Sequence, residues 1–162
     1  STVPVILDAD GINAVTPHIL AEETRTAPLI LTPHPGEMAR LMDLSTAEVQ
    51  AHRREIACQL AQKTNAIVVL KGHRTLIAAP NGETAENPTG NPGMATGGSG
   101  DVLAGIIGSL VAQGVPPYEA AVCGVYLHGA AGDMAAAKHS QRGMLPTDLI
   151  EELGSLFLQF EK

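Results

Sequence analysis

Three short apolar runs constrain this chain more than anything else in it: Val3 to Leu7, Leu29 to Thr32 and Ile67 to Leu70. Each is continuous rather than alternating, which is the pattern of a strand buried on both faces of a parallel sheet. Each also ends at polar or loop-forming residues, Asp8 and Asp10 after the first, Pro33-His34-Pro35-Gly36 after the second and Lys71-Gly72 after the third. In open α/β sheets the ligand crevice lies at the carboxyl ends of the strands, so these three endings are candidate site loops.

The period changes between the runs. Ser45-Thr46-Ala47-Glu48 has the spacing of a capping box, and Val49, Ile56 and Leu60 follow on one helical face. Thr75 to Ala79 reads as a further strand after a short turn, with Asn81-Gly82 as the next hairpin turn, so the sheet is expected to be mixed. Asn87 to Gly100 (NPTGNPGMATGGSG) reads as a loop. Asp101 is expected to open a helix with Val102, Leu103, Ile106, Ile107, Leu110 and Val111 in apolar stripes, stopping at Gly114. Pro116 to Ala137 reads as a buried helix, and Leu149, Leu153, Leu156 and Phe160 as the apolar stripe of the last one.

Composition narrows the function. A length of 162 residues suits one domain. With no Trp, two Tyr, two Phe and a net charge of −7, the chain has neither stacking platforms nor a basic footprint, so nucleic acid is not an expected partner. No stretch has the uninterrupted apolar length of a membrane span. Cys58 and Cys123 form no CxxC pair, which makes a reducing cytoplasm the expected compartment.

The strongest chemical signal is Gly97-Gly98-Ser99-Gly100-Asp101 running straight into an apolar helix. Glycines let the backbone approach an anion, and the free amides and positive dipole end of a helix start suit a phosphate. Taken alone, Asp101 is better read as a helix cap than as a general base facing the same anion. The chain has no GxxxxGK[ST], and its glycine spacing is not GxGxxG.

Four blocks together carry a resemblance: LDADGINAV (7–15), LTPHPGEMARL (31–41), VVLKGHRTLI (68–77) and GMATGGSGDVLAGIIG (93–108). In order and spacing they resemble the ADP- or ATP-dependent NAD(P)H-hydrate dehydratase family, as do Val125 to Gly129 and Arg142 to Met144. The resemblance covers essentially the whole chain. It implies a ribokinase-like three-layer α/β fold with a central, mostly parallel sheet. It also implies a metabolite-repair reaction: a nucleotide phosphorylates the ring hydroxyl of hydrated NADH or NADPH (the S epimer), and loss of phosphate restores the cofactor. The chain looks like the bacterial form, for which ADP is the usual phosphoryl donor and AMP the product.

Residue by residue, the resemblance implies that Asp101 takes the proton of the attacking hydroxyl and contacts substrate, and that the Gly98, Ser99 and Gly100 amides form an anion hole. It places nucleotide at Gly100 and at the strand end Lys71, Gly72, His73, Arg74 and Thr75, with Asn91 and Met94 as further candidates. His34 matches the contact to the hydrated cofactor, whereas Glu37 suits the helix dipole as well as substrate or magnesium. Asp8, Asp10 and Asn13 read equally as turn and cap residues or as contacts to substrate or metal, and Asn13 is taken as a substrate residue. His128 reads as a hydrogen-bonded core histidine. Magnesium is expected from phosphoryl transfer in general, but no cluster of acids names its ligands.

Family domains begin before the equivalent of Ser1, with strands, helices and a further glycine-rich substrate loop. Residues 1–162 are therefore expected to form one partial domain whose full-length protein is a homo-oligomer fused to or paired with an epimerase domain. Two alternatives stay open. One is a hydroxyl kinase of the same fold acting on a hydroxymethylpyrimidine, thiazole or sugar alcohol, against which TPHPGE and KGHRT speak. The other is a non-catalytic nucleotide-binding fragment.

Overall fold

A computed structural model describes residues 1–22 and 25–161. The three apolar runs become β1 (Val5–Leu7), β2 (Leu29–Leu31) and β3 (Ile67–Leu70), paired parallel in that order. β4 (Leu76–Ala78) then turns back antiparallel on β3, and β5 (Thr84–Glu86) antiparallel on β4 across the Asn81-Gly82 turn. The expected mixed sheet is thus five-stranded, with order β1-β2-β3-β4-β5. β2, β3 and β4 are wholly buried, but β1 has a single partner at the end of the sheet and is only partly covered.

Alternation along the strands divides the core into two faces. Leu29, Leu31, Val68, Leu70, Leu76 and Ala78 point to one side. They pack against a helical layer made of α1 (Ala9–Asn13), α2 (Pro17–Glu22), α3 (Pro35–Met42), α4 (Thr46–Ala51) and α5 (Arg53–Thr64). Ile30, Ile67, Val69 and Ile77 point the other way, onto α6 (Ser99–Ala112) and α7 (Pro117–Gly143). α8 (Pro146–Phe157) packs outside these through Leu149 and Leu156, and Lys138 Nζ of α7 meets Glu152 Oε1 of α8 at 2.8 Å. This is the three-layer arrangement expected, with the sheet in the middle.

Local chemistry explains the boundaries. Ser45 caps α4 by accepting from Glu48 N, and the Glu48 carboxylate accepts from Ser45 N and Oγ; those bonds hold its carboxyl below the usual range. His52 leaves helical geometry at φ −128°, ψ 37°, so one apolar stripe is carried by two helices. The expected start of the glycine-loop helix shifts: α6 begins at Ser99, and Asp101 is its third residue rather than its cap. Gly98 occupies the cap position at φ +92°, a conformation that reverses the chain there and that a side chain would strain. At the far end α8 stops at Phe157, so Phe160 lies beyond the helix, 61% exposed, and does not extend its stripe. No helix among the described residues is long and apolar enough to cross a membrane.

Removing the Ser45 hydroxyl leaves an orphan amide at the start of α4. Ser45→Ala is expected to lower unfolding free energy by about 1 kcal/mol, read as a lower urea midpoint at unchanged slope.

Candidate active site

The carboxyl ends of the three parallel strands converge through polar contacts. After β1, Asp8 stands at the cap position of α1 but makes no cap bond with its side chain. Its Oδ1 instead accepts from Lys71 Nζ at 2.6 Å, across from the end of β3. Burial pushes the Asp8 carboxyl up, but hydrogen bonds from Lys71 and Thr32, the Lys71 charge and the Ala9 amide outweigh it, and the net shift is downward. Asp10 is exposed in the first turn of α1. Asn13, at the end of that helix, is exposed and accepts from Arg40 Nε at 3.2 Å, a tie between α1 and α3.

After β2, His34 caps α3. Its Nδ1 accepts from Gly36 N at 2.9 Å and Glu37 N at 3.2 Å, while buried Glu37 accepts from His34 N at 2.7 Å. Holding Nδ1 as acceptor leaves Nε2 as the nitrogen that carries the proton in the neutral ring. Nε2 lies 3.5 Å from Glu37 Oε1, so the half-exposed ring faces both that carboxylate and the cleft, and a ligand would compete with Glu37 for its proton. Glu37 also lies 4.0 Å from Lys71 Nζ.

After β3, the Lys71 amide donates to Pro33 O at 2.9 Å, joining this strand end to that of β2. Arg53 at the start of α5 donates to Leu70 O at 3.0 Å and Lys71 O at 3.4 Å. Thr75 Oγ1 closes the following turn on Gly72 O at 3.0 Å. Arg74 takes a left-handed backbone conformation, φ 54°, and its guanidinium pairs with Glu86 of β5, whereas the His73 side chain forms no hydrogen bond within the described residues.

The loop from Asn87 to Gly98 is moulded against α7. Thr89 Oγ1 donates to Tyr126 O at 3.0 Å, Gly90 N donates to Asp133 Oδ2 at 2.9 Å, and Asn91 Nδ2 donates to Asp133 Oδ1 and Gly132 O, each at 3.0 Å. Asn91 Oδ1 accepts from Gly93 N at 3.0 Å, so Asn91 shapes the loop with both ends of its amide. A Cβ at Gly129 would stand 2.8 Å from the Thr89 carbonyl carbon, so α7 must be bare where the loop backbone crosses it, while at Gly132 the Met94 side chain packs over the helix. Finally His128 Nε2 lies 2.9 Å from Ser99 O.

These pieces enclose a cleft of about 610 Å³. His34, Lys71, Gly72, His73, Arg74, Thr75, Asn91, Met94, Ser99 and Gly100 all line it, so the structure gathers most of the residues singled out in the sequence. Gly100 sits beside the ion pair: a Cβ there would be 3.2 Å from Asp8 Oδ2 and 3.4 Å from Lys71 Nζ. Gly98, Asn13 and Asp101 are not in the lining. Exposed Asp101 faces a second, apolar concavity of about 740 Å³ between α6 and α8, with Ile106, Leu110, Leu127, Leu153 and Phe157 in its walls. The first turn of α6 thus divides two concavities. Arg53, Asp133 and His128 were not assigned to the site from sequence; their partners lie 17, 43 and 29 residues away, beyond any local pattern.

The chain is similar to known proteins over nearly its whole length. A family model described as NAD(P)H-hydrate dehydratase matches residues 1–155. A bifunctional NAD(P)H-hydrate repair enzyme of Moorella thermoacetica is 51% identical over 165 residues, covering 99% of this chain and 30% of its own length. An ADP-dependent (S)-NAD(P)H-hydrate dehydratase of Neisseria meningitidis is 52% identical over 136 residues, covering 81% of this chain and 45% of its own. The crystal structure of the Bacillus subtilis ADP/ATP-dependent NAD(P)H-hydrate dehydratase, co-crystallized with ATP and Mg2+, superposes with a TM-score of 0.89 at 39% identity. The match covers 98% of this chain and 55% of that one. The chain therefore spans between about a third and just over half of these relatives.

Burial lowers the His128 pKa to about 4 from an ordinary 6.5; the bond to Ser99 O opposes that shift and the Lys71 charge adds to it. A folded pKa below the unfolded one means that the unfolded chain binds the extra proton between these values. Stability from the neutral ring is complete above pH 6.5 and is lost as pH falls towards 4. At about 1.4 kcal/mol per unit, the window is worth roughly 3 kcal/mol. Urea titrations between pH 7 and pH 4 should show that loss in the native protein and a flatter profile in His128→Gln.

Proposed function

Since this chain belongs to the NAD(P)H-hydrate dehydratase family, we propose that it carries the phosphoryl-transfer part of an ADP-dependent dehydration of hydrated NADH or NADPH. The observation that carries the proposal is the meeting of a strand-end lysine and a glycine-started helix at one cleft. Lys71 and the free amide of Gly100 offer a positive, preorganised seat for the terminal phosphate, while Gly72 to Thr75 and Asn91 line the remainder of the nucleotide's path. His34 offers its Nε2–H to the hydrated cofactor. Asp101 stands on the other side of the helix start, where it takes the proton of the substrate hydroxyl as that oxygen attacks the phosphate. Loss of the phosphate and the neighbouring ring proton then restores the dihydronicotinamide.

Among the described residues no group of three or more His, Cys, Asp or Glu side chains is placed to hold a metal. Magnesium commonly keeps several waters and binds through substrate phosphates and one or two carboxylates. Such a sparse donor set suits this site, where Asp8 and Glu37 are the carboxylates beside Lys71. The ion would supply charge neutralisation on the phosphates. The bifunctional NAD(P)H-hydrate repair enzyme of Moorella thermoacetica supports a second repair activity beside this one in a full-length protein, which we take to be the epimerase. Two free cysteines, Cys58 and Cys123, suit a reducing cytoplasm.

The decisive assay supplies hydrated NADH with ADP and follows the return of dihydronicotinamide absorbance. No return of absorbance, with a phosphorylated alcohol accumulating from another substrate, would instead identify a hydroxyl kinase. Asp101→Asn is expected to cut turnover by about a hundredfold or more while calorimetry finds ADP affinity nearly unchanged. Loss of binding together with turnover would make Asp101 a structural residue of α6.

A further inference from the structure

Helix α7 buries a histidine that the proposed chemistry does not use. His128 is 9% exposed and lines the cleft, and its Nε2 lies 2.9 Å from Ser99 O and 3.2 Å from Ser99 Oγ. A carbonyl oxygen can only accept, so the first distance requires the proton to sit on Nε2. That assignment decides the second contact as well. A protonated Nε2 cannot accept from the serine, so Ser99 Oγ is an acceptor on this side and its own O–H remains to be donated elsewhere.

Ser99 is itself buried and lines the cleft at the helix start, next to Gly100, where a Cβ would stand 3.4 Å from Lys71 Nζ. We infer that His128 is a positioning residue: by donating from Nε2 to Ser99 it fixes the first turn of α6 and leaves the Ser99 hydroxyl as a donor to the terminal phosphate of the nucleotide. The inference rests on the reading of this cleft as a phosphate site. The surrounding contacts favour it, since Gly129, Gly132 and Asp133 of the same helix face hold the preceding loop, and His128 extends that hold to the turn that meets the anion.

Two measurements test it, one needing no ligand. Nitrogen-15 spectra of the imidazole side chains at neutral pH should show His128 protonated at Nε2 and bare at Nδ1. The opposite tautomer overturns the proposal. In calorimetry, His128→Gln, whose amide reaches about as far as Nε2, should keep ADP affinity within about threefold, while the shorter His128→Asn loses about tenfold. Ser99→Ala should lose about tenfold for ADP and much less for AMP, which lacks the terminal phosphate. Equal affinities in the Gln and Asn variants, or equal weakening of ADP and AMP by Ser99→Ala, would sink it. If the native protein binds neither nucleotide, the phosphate reading of the cleft falls and this inference with it. The tautomer separates the two failures, because it reports the His128–Ser99 bond whether or not a nucleotide binds.

Discussion

The Lys71–Asp8 contact is the interaction on which the site depends. A parallel sheet brings its strand ends to one edge, but parallel pairing alone leaves those ends as separate loops. The 2.6 Å bond ties the end of β3 to the end of β1, and the Lys71 amide on Pro33 O ties in β2 between them. The Lys71 side chain is only 20% exposed, and a charge so covered is costly without a partner. Asp8 supplies the partner and Glu37 a second carboxylate at 4.0 Å, so the cation is held in place rather than released to solvent. A phosphate arriving at Gly100 meets a lysine whose position is already set, which is the condition for electrostatic preorganisation.

The glycine loop poses the opposite problem. Its sequence has no helical or strand period, and ordering each residue costs about 1 to 2 kcal/mol of backbone entropy. That cost is offset by contacts with α7 rather than by pairing in the sheet. One face of that helix supplies Tyr126 O, His128, Gly132 O and Asp133 to the loop, and its glycines let the loop lie against bare backbone. The length and burial of α7 thus serve the site as much as the core. The helix expected to be buried all round in fact keeps one exposed strip, Glu119, Cys123, Tyr126, Asp133 and Ala137, and Asp133 holds the loop from the edge of that strip.

How much of this was legible in the sequence follows from the range of each interaction. The strands, the Ser45 cap and the Asn81-Gly82 turn depend on residues within a few positions of one another, and each is found where the pattern puts it. The α6 start was misplaced because Asp is the better cap by preference, whereas here a positive-φ glycine performs the reversal and the acid lies on the third residue. Phe160 fits the period of α8 but follows its last turn, so periodicity alone overran the helix. Asp8 and Asn91 have partners that the sequence did not name: one neutralises a lysine 63 residues away, the other folds its own loop as well as lining the cleft. Arg53, Asp133 and His128 have no local signature at all.

The division made by the start of α6 bears on why the proposed reaction needs this fold. In-line phosphoryl transfer requires donor and acceptor on opposite sides of the moving group, with charge stabilisation at its equatorial oxygens. The cleft with Lys71 lies on one side of the first turn and the concavity with Asp101 on the other. The free amide of Gly100 sits between them, at the positive end of the α6 dipole. A base placed beside Lys71 would also sit beside Asp8 and Glu37, where repulsion between like charges favours its protonated form. Set two residues beyond Ser99 on a helix, Asp101 points to a different side from the anion-binding turn while staying within one residue of Gly100. On the proposed reading the hydrated cofactor spans the two, meeting His34 in the Lys71 cleft and presenting its hydroxyl to Asp101 beyond the first turn.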